Sequence, residues 1–483
     1  MNDLLRYSNS ALFEHPERVV ELTTTQKYSF GRQQLQDLQL QALKMRFANL
    51  VDPVPLLGRF AEQQGLKTIS RIEDAALLLF PHTMYKSYPL SAIENSQFDR
   101  LTKWLGTLTS LDVSKVNSRA CGCIDDWIDS MDAQSEVRLR HSSGTTGKLS
   151  FIPGSDAEAY TSVMGINRYF QGFGAEPDAD CGGFEGGNKP IIAFGYRQGA
   201  MAFSRTLDAI RRIFYRNEEG WIIATNPGRF SADMLSLGGR LEAAQARGAA
   251  GRAALSPALL ARRDLFLREQ AEAPKRMEQF FDTISSKYRD KEVILKGVTP
   301  PVVDAAIAGL ARGLEKLFSP RSLMFLAGGA KGRTLPDDYP AIVERFTGVR
   351  FPQTGYGMSE AASGITRMCP AGHYHIIPNI IPFLLHAQTG ELLPRSGKVK
   401  GRYGFFDIAT QTRWGGFLTG DEITINFGDV QSCSCGRKGA FIDGGIRRYS
   451  EAEGGDDKIT CAGAANVHDA ALDFIRDAVD GNY

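Results

Sequence analysis

Apolar and polar positions repeat differently along successive stretches of the chain. Over residues 1–130 apolar side chains return at helical spacing, as in QLQDLQLQALKMRFANLV from Gln34 to Val51, with few strong breakers. This predicts a helical N-terminal part of a large domain. Between residues 131 and 365 the apolar runs are short and end in glycine or polar residues, as in PIIAFGY, GWIIAT, KEVILKG and SLMFLAGG, and they alternate with helical stretches. That alternation predicts an α/β core built on a sheet. From 366 to 450 helix signals fade and strands crowd together, in HYHIIPNIIPFLLHA, KGRYGFFDIA and GGFLTGDEITINF, which predicts a smaller β-rich subdomain. The segment 451–483 ends in VHDAALDFIRDAVDGNY, read as one short amphipathic helix. LEAAQARGAAGRAALSPALLARRDLF reads as a solvated helical pair, GGFEGGNKP as a loop before a strand, and no solenoid or propeller period is found.

Composition narrows the function classes. With 56 Lys+Arg against 55 Asp+Glu the chain has no basic excess to serve nucleic acid or an anionic membrane surface, so a small molecule is the expected partner. No stretch stays apolar long enough to insert in a bilayer and the N-terminus lacks a basic region followed by an apolar run, so a cytoplasmic protein is expected. Seven cysteines in 483 residues are too few for a disulfide scaffold and read as buried thiols, nucleophiles or metal ligands.

The strongest local signal is His141-Ser142-Ser143-Gly144-Thr145-Thr146-Gly147-Lys148. Glycines let backbone N–H groups approach phosphate oxygens, hydroxyls donate further hydrogen bonds, and Lys148 adds a cation. It is not a Walker A loop, since Ser142 stands where the first glycine belongs and Leu149 where the magnesium-binding hydroxyl belongs. Taken alone, such a cluster also reads as a solvated turn. Cys369, Cys433 and Cys435 with one of the two imidazoles His373 and His375 supply three thiolates and an imidazole, a set that suits structural Zn²⁺ and reads equally as free core thiols. Cys121 and Cys123 lack a partner cluster.

In order, SSGTTGK, LAGGAKG, QTGYGMSE and LTGDE resemble the signature motifs of the adenylate-forming (AMP-binding) superfamily of acyl-CoA synthetases, adenylation domains and luciferases. The chain looks most like phenylacetate-CoA ligase-like enzymes and acyl-protein synthetases, over about residues 135–470. The resemblance implies an α/β fold whose large N-terminal domain combines a helical layer, mixed sheets and a β-rich subdomain. It implies ATP and Mg²⁺ as requirements, a carboxylic acid activated as acyl-adenylate, and thioester formation with CoA or an acyl-acceptor protein.

Residue by residue, the resemblance puts Lys148, Ser359 and Glu360 at the reacting phosphate, with Glu360 holding Mg²⁺. Ser142, Ser143, Gly144, Thr145, Thr146 and Gly147 would wrap the phosphates. Gly328, Gly329 and Ala330 would line the adenine pocket, Tyr356 would stack on adenine beside Gly357 and Met358, and Asp421 would accept both ribose hydroxyls; an Asx turn is the alternative for Asp421. Phenylacetate-CoA ligase-like proteins also carry a comparable Cys, His and Cys-x-Cys arrangement around zinc, here Cys369, His375, Cys433 and Cys435, with His375 preferred over His373. The acid pocket is expected near Phe194, Tyr196, Arg197 and Met358, with aryl and fatty acids both open.

The stretch Gly455-Asp456-Asp457-Lys458-Ile459 resembles the family hinge, with Gly454 in place of an arginine that Arg447 or Arg448 could replace. Too little chain follows Asp457 for a lid with its own core, which takes at least about 50 residues. A reduced or absent C-terminal lid is therefore expected. A reduced nucleotide- or acyl-adenylate-binding subunit of an acyl-transfer complex is the alternative function, and Cys461 reads as a buried strand cysteine rather than an acyl acceptor.

Overall fold

The computed structural model describes residues 9–142, 148–174, 182–236, 257–328, 334–352 and 355–448. Helices fill the N-terminal part, the longest being Arg32–Leu50, with the two-residue strand β1 (Phe80–Pro81) set among them. The antiparallel pair β2 (Arg140–His141) and β3 (Phe151–Ile152) then brackets the Ser/Gly/Thr segment.

Four parallel strands follow: β4 (Ile191–Gly199), β5 (Ile222–Phe230), β6 (Ile294–Val298) and β7 (Leu323–Ala327), in the spatial order β5-β4-β6-β7. Helices Ala202–Phe214, Pro257–Lys287 and Thr299–Ala311 lie between them in sequence. Both faces of such a sheet are covered, which is why its strands read as nearly unbroken apolar runs. Alternation sorts them: Ile192, Phe194 and Leu295 pack against Phe280, Phe281, Val302 and Phe346, whereas Ile191, Ala193 and Ile294 pack against Phe170, Leu207 and Ile210. Thr299-Pro300 opens one crossover helix, proline's missing N–H being no loss in a first turn, and Gly348 closes Tyr339–Thr347 in the left-handed region at φ 76°.

The remaining strands are β8 (Thr366–Met368), β9 (Tyr374–Ile376), β10 (Ile380–Leu385), β11 (Lys398–Asp407), β12 (Gly416–Asn426), β13 (Phe441–Ile442) and β14 (Arg447–Arg448). With β1 they form an eight-stranded sheet, β1 pairing in parallel with β12 through Phe80 and Phe417. Leu38, Phe47, Leu57 and Trp104 from the N-terminal helices share one apolar core with Phe383, Phe405, Leu418 and Ile423 of this sheet. Phe47 meets the ring of Trp414 edge-on at 6.1 Å, and each such fully buried side chain contributes about 1.5–3 kcal/mol. The helical and β-rich stretches, far apart in sequence, thus stabilise one another.

The α/β class expected from the sequence is the class observed. No helix among the described residues is long and apolar enough to cross a membrane. The segment 451–483, including the hinge-like stretch, Cys461 and the expected C-terminal helix, lies outside the described residues.

Candidate functional site

A cavity of about 620 Å³ opens at the C-terminal edge of the parallel sheet, the edge at which open α/β sheets hold ligands. Its wall takes Met201 from just beyond β4, Val298 from the end of β6 and Gly328 from just beyond β7. The turn from Tyr356 to Ser363 and the β12 residues Thr419, Gly420 and Asp421 complete it, together with Ser142 and Lys148 from either side of the Ser/Gly/Thr segment.

The structure therefore brings Ser142, Lys148, Gly328, Tyr356, Gly357, Met358, Ser359, Glu360 and Asp421 to one cavity, although they span most of the chain. Ser143, Gly144, Thr145, Thr146, Gly147, Gly329 and Ala330 lie outside the described residues. Of the residues expected around the acid, Met358 lines the cavity. Phe194 is packed against Phe280, Tyr196 against Phe230, and Arg197 is engaged by Asp208 at 2.8 Å and Glu219 at 2.9 Å. None of these three lines the cavity: Phe194 belongs to the alternate positions of β4 that pack on the opposite core, and Tyr196 and Arg197 are taken up by the partners just named.

Positioning comes from backbone pins that motif reading did not anticipate. Gly328 holds φ 71°, open to glycine at little cost, and its carbonyl accepts a 2.7 Å hydrogen bond from the Thr299 hydroxyl. The Tyr356–Ser363 turn is held by two fully buried groups. Arg413 donates through Nη2 to the Glu360 carbonyl at 2.7 Å, and the Asp407 carboxylate accepts from the backbone N–H of Ala362 at 2.7 Å and of Ala409 at 2.9 Å.

Glu360 itself lines the cavity. Burial raises its carboxyl above the ordinary range, an effect opposed by the positive charges of Arg413, Arg140 and Lys86. Arg140 has a buried Nη2 with no partner among the described residues, and His141 likewise has a buried, unpartnered Nε2 and is brought down to about 4 by burial, hence neutral. Lys148 is anchored, its Nζ donating to the Tyr88 carbonyl at 2.7 Å. At the other wall the Tyr356 hydroxyl donates to Asp421 Oδ2 at 2.5 Å, and Arg448 approaches Asp421 Oδ1 at 3.3 Å, so both oxygens expected to meet ribose already have partners.

The charge balance of the wall is one-sided. Lys27, Lys86, Arg140, Lys148, Arg168, Lys296, Arg367 and Arg448 line the cavity against two carboxylates, Glu360 and Asp421. A polyanionic ligand is what such a wall accommodates.

Below the cavity, Cys369, His375, Cys433 and Cys435 place one donor atom each within 4.8 Å of one another. Cys369 and Cys433 sulfurs are 3.8 Å apart, and His375 Nε2 lies 3.3 Å from the Cys435 sulfur. A zinc tetrahedron with Zn–S near 2.3 Å has S···S edges of about 3.8 Å, so the donor set fits this ion. Burial, and then the neighbouring Cys433 and Cys369 thiols, push the Cys435 thiol up to about 12, while burial brings His375 down to about 3. His373, the other imidazole weighed from sequence, contacts the Cys433 sulfur at 3.3 Å through Nδ1 but stands outside the four-donor group.

No family model and no curated protein matches the chain. Among solved structures it is similar to 2-hydroxyisobutyryl-CoA ligase in complex with 2-HIB-AMP, at 12% identity over 87% of this chain and 69% of that one, with a TM-score of 0.49. It is also similar to ATP-bound MatB from Rhodopseudomonas palustris, at 13% identity over 62% and 50% with a TM-score of 0.33. A natural red emitting luciferase from Phrixothrix hirtus shares 14% identity over 60% and 42% with a TM-score of 0.31. At such identities and scores the functional reading rests on the cavity.

Proposed function

We propose that this chain activates a carboxylic acid as its acyl-adenylate at the expense of ATP and passes the acyl group to a thiol, of CoA or of a protein. The observation that carries the proposal is the convergence of Ser142, Lys148, Gly328, Tyr356, Glu360 and Asp421 on one cation-rich cavity. Lys148, Arg140 and Lys86 would face the phosphates, Gly328 and Tyr356 the base, and Asp421 the ribose.

The acid's carboxylate oxygen forms a bond to the α-phosphorus while the bond from that phosphorus to the bridging oxygen breaks, and pyrophosphate leaves with the electron pair. Negative charge grows on the phosphate oxygens during this step, so prepositioned cations and backbone donors lower the barrier without a covalent nucleophile. Mg²⁺ held by Glu360 would neutralise part of that charge; the carboxylate is a hard oxygen donor free to face the cavity. A thiolate then attacks the activated carbonyl and AMP departs. Structural Zn²⁺ on Cys369, His375, Cys433 and Cys435 would tie the β8–β9 hairpin to the loop preceding β13.

ATP–pyrophosphate exchange over a panel of acids is the test. Exchange that depends on an acid and is lost in Glu360→Gln is expected. Tight nucleotide binding with no acid supporting exchange would instead leave a nucleotide-binding subunit.

A further inference from the structure

Lys296 takes no part in the chemistry just described. It is the central residue of β6, paired across the ladder with Ala193 of β4 and Phe325 of β7. Alternation turns its side chain to the face of Ile294 rather than Leu295. The ammonium runs between two rings, 4.3 Å from the centroid of Phe203 and 5.7 Å from that of Phe325, and the ring of Tyr169 extends this wall at 5.3 Å from Phe325.

The residue is 4% exposed and lines the cavity. Lys27 and Lys148 on the same wall each rest on a backbone carbonyl. Lys296 has no hydrogen bond and no ion pair among the described residues. Burial alone brings its amine down to about 7, with no contribution from a charged neighbour, so it stands apart from the Glu360, Arg140 and Arg413 cluster. Keeping an uncompensated ammonium in an apolar wall costs several kcal/mol, and the rings return about 1–2 kcal/mol of it. A ligand that brings its own negative charge removes the remainder.

We propose that Lys296 binds a second anionic group on the acid, making the substrate a dicarboxylic acid with one carboxylate activated and the other paired to Lys296. This rests on the adenylation reading for the role of the first carboxylate, while the anion site itself does not. The aromatic wall of Phe203, Phe325 and Tyr169 suits a short or flat spacer between the two carboxylates.

The test compares linear diacids from malonate to adipate, and terephthalate, each with the monoacid of the same skeleton, in pyrophosphate exchange with wild type and Lys296→Met. Methionine matches the length of the buried stem without charge. The diacid should be preferred by wild type, and the variant should reduce the diacid-to-monoacid ratio of kcat/KM at least about 10-fold, the worth of a charged hydrogen bond. A readout independent of catalysis is reductive methylation of Lys296 near neutral pH, followed by peptide mass spectrometry, which a diacid should slow and its monoacid should not. Equal methylation with and without every diacid, or a variant ratio equal to wild type, overturns the proposal. Diacid protection of Lys296 without exchange for any acid removes the adenylation reading and leaves the anion site standing.

Discussion

Replacing Lys296 by methionine should stabilise the ligand-free protein, and the gain should fade as pH rises. The folded amine releases its proton at about 7, the unfolded one at 10.5. Between those values the unfolded chain holds more protons than the folded one, so this lysine's destabilisation is greatest at low pH and relaxes as pH climbs through the window. At about 1.36 kcal/mol per pH unit, the penalty is about 4 kcal/mol at pH 7 and about 1 kcal/mol at pH 10. Contact with the Phe203 ring at 4.3 Å offsets about 1–2 kcal/mol while the amine is charged. The expected gain for Lys296→Met is thus about 2–3 kcal/mol at pH 7 and under about 1 kcal/mol at pH 10. An unfolding entropy of about 2.1 cal/mol/K per residue gives about 1 kcal/mol/K for this chain, so the difference in Tm should be about 2–3 °C at pH 7. Lys27, also brought down to about 7 by burial and by Arg168 and Arg367, contributes the same slope to both proteins and cancels in the difference. Thermal unfolding of the two full-length proteins at each pH from 7 to 10 is the assay. A Tm difference that is constant across that range, or a variant less stable at pH 7, refutes the reasoning.

Glu360→Gln keeps the shape of the turn and removes the carboxylate proposed to hold Mg²⁺ at the phosphates, so exchange should fall at least about 100-fold with little change in Tm. Asp407→Asn places an amide against the N–H groups of Ala362 and Ala409, which lie 2.7 and 2.9 Å from the present carboxylate. The cost should be about 2–4 kcal/mol, seen as a Tm lower by about 2–4 °C together with weaker exchange. Elemental analysis of purified protein should find about one zinc per chain, and Cys435→Ser should reduce that content and lower Tm; zinc content unchanged in the variant would exclude Cys435 as a ligand.

How much of this was legible in the sequence depends on the range over which each feature is encoded. The runs PIIAFGY, GWIIAT, KEVILKG and SLMFLAGG marked β4 to β7 because a strand covered on both faces must be apolar along its length, a property of neighbouring residues alone. The motifs SSGTTGK, LAGGAKG, QTGYGMSE and LTGDE were visible because each is a short run of neighbouring residues, while the roles expected of their residues came from the family resemblance. Cys369, His375, Cys433 and Cys435 were named from residue type and resemblance, and the strand pairing of β9 with β13 is what gathers them.

Lys296 read only as a polar residue within KEVILKG, since a lysine in a short strand looks the same whether the side chain reaches solvent or not. What encloses it is Phe203 from a crossover helix and Phe325 from the neighbouring strand, and the order β5-β4-β6-β7 that sets them beside it is not written in any local pattern. Arg413 and Asp407 were passed over likewise, because their partners Glu360 and Ala362 lie some 45–55 residues away and meet them only across the folded sheet. The sequence by itself determined where strands and helices alternate and which residue types are available to a phosphate or a metal, because periodicity and chemical type are local. The tertiary structure alone decided which charges are left without partners, since compensation is a property of three-dimensional neighbours and is lost or gained with every change in packing.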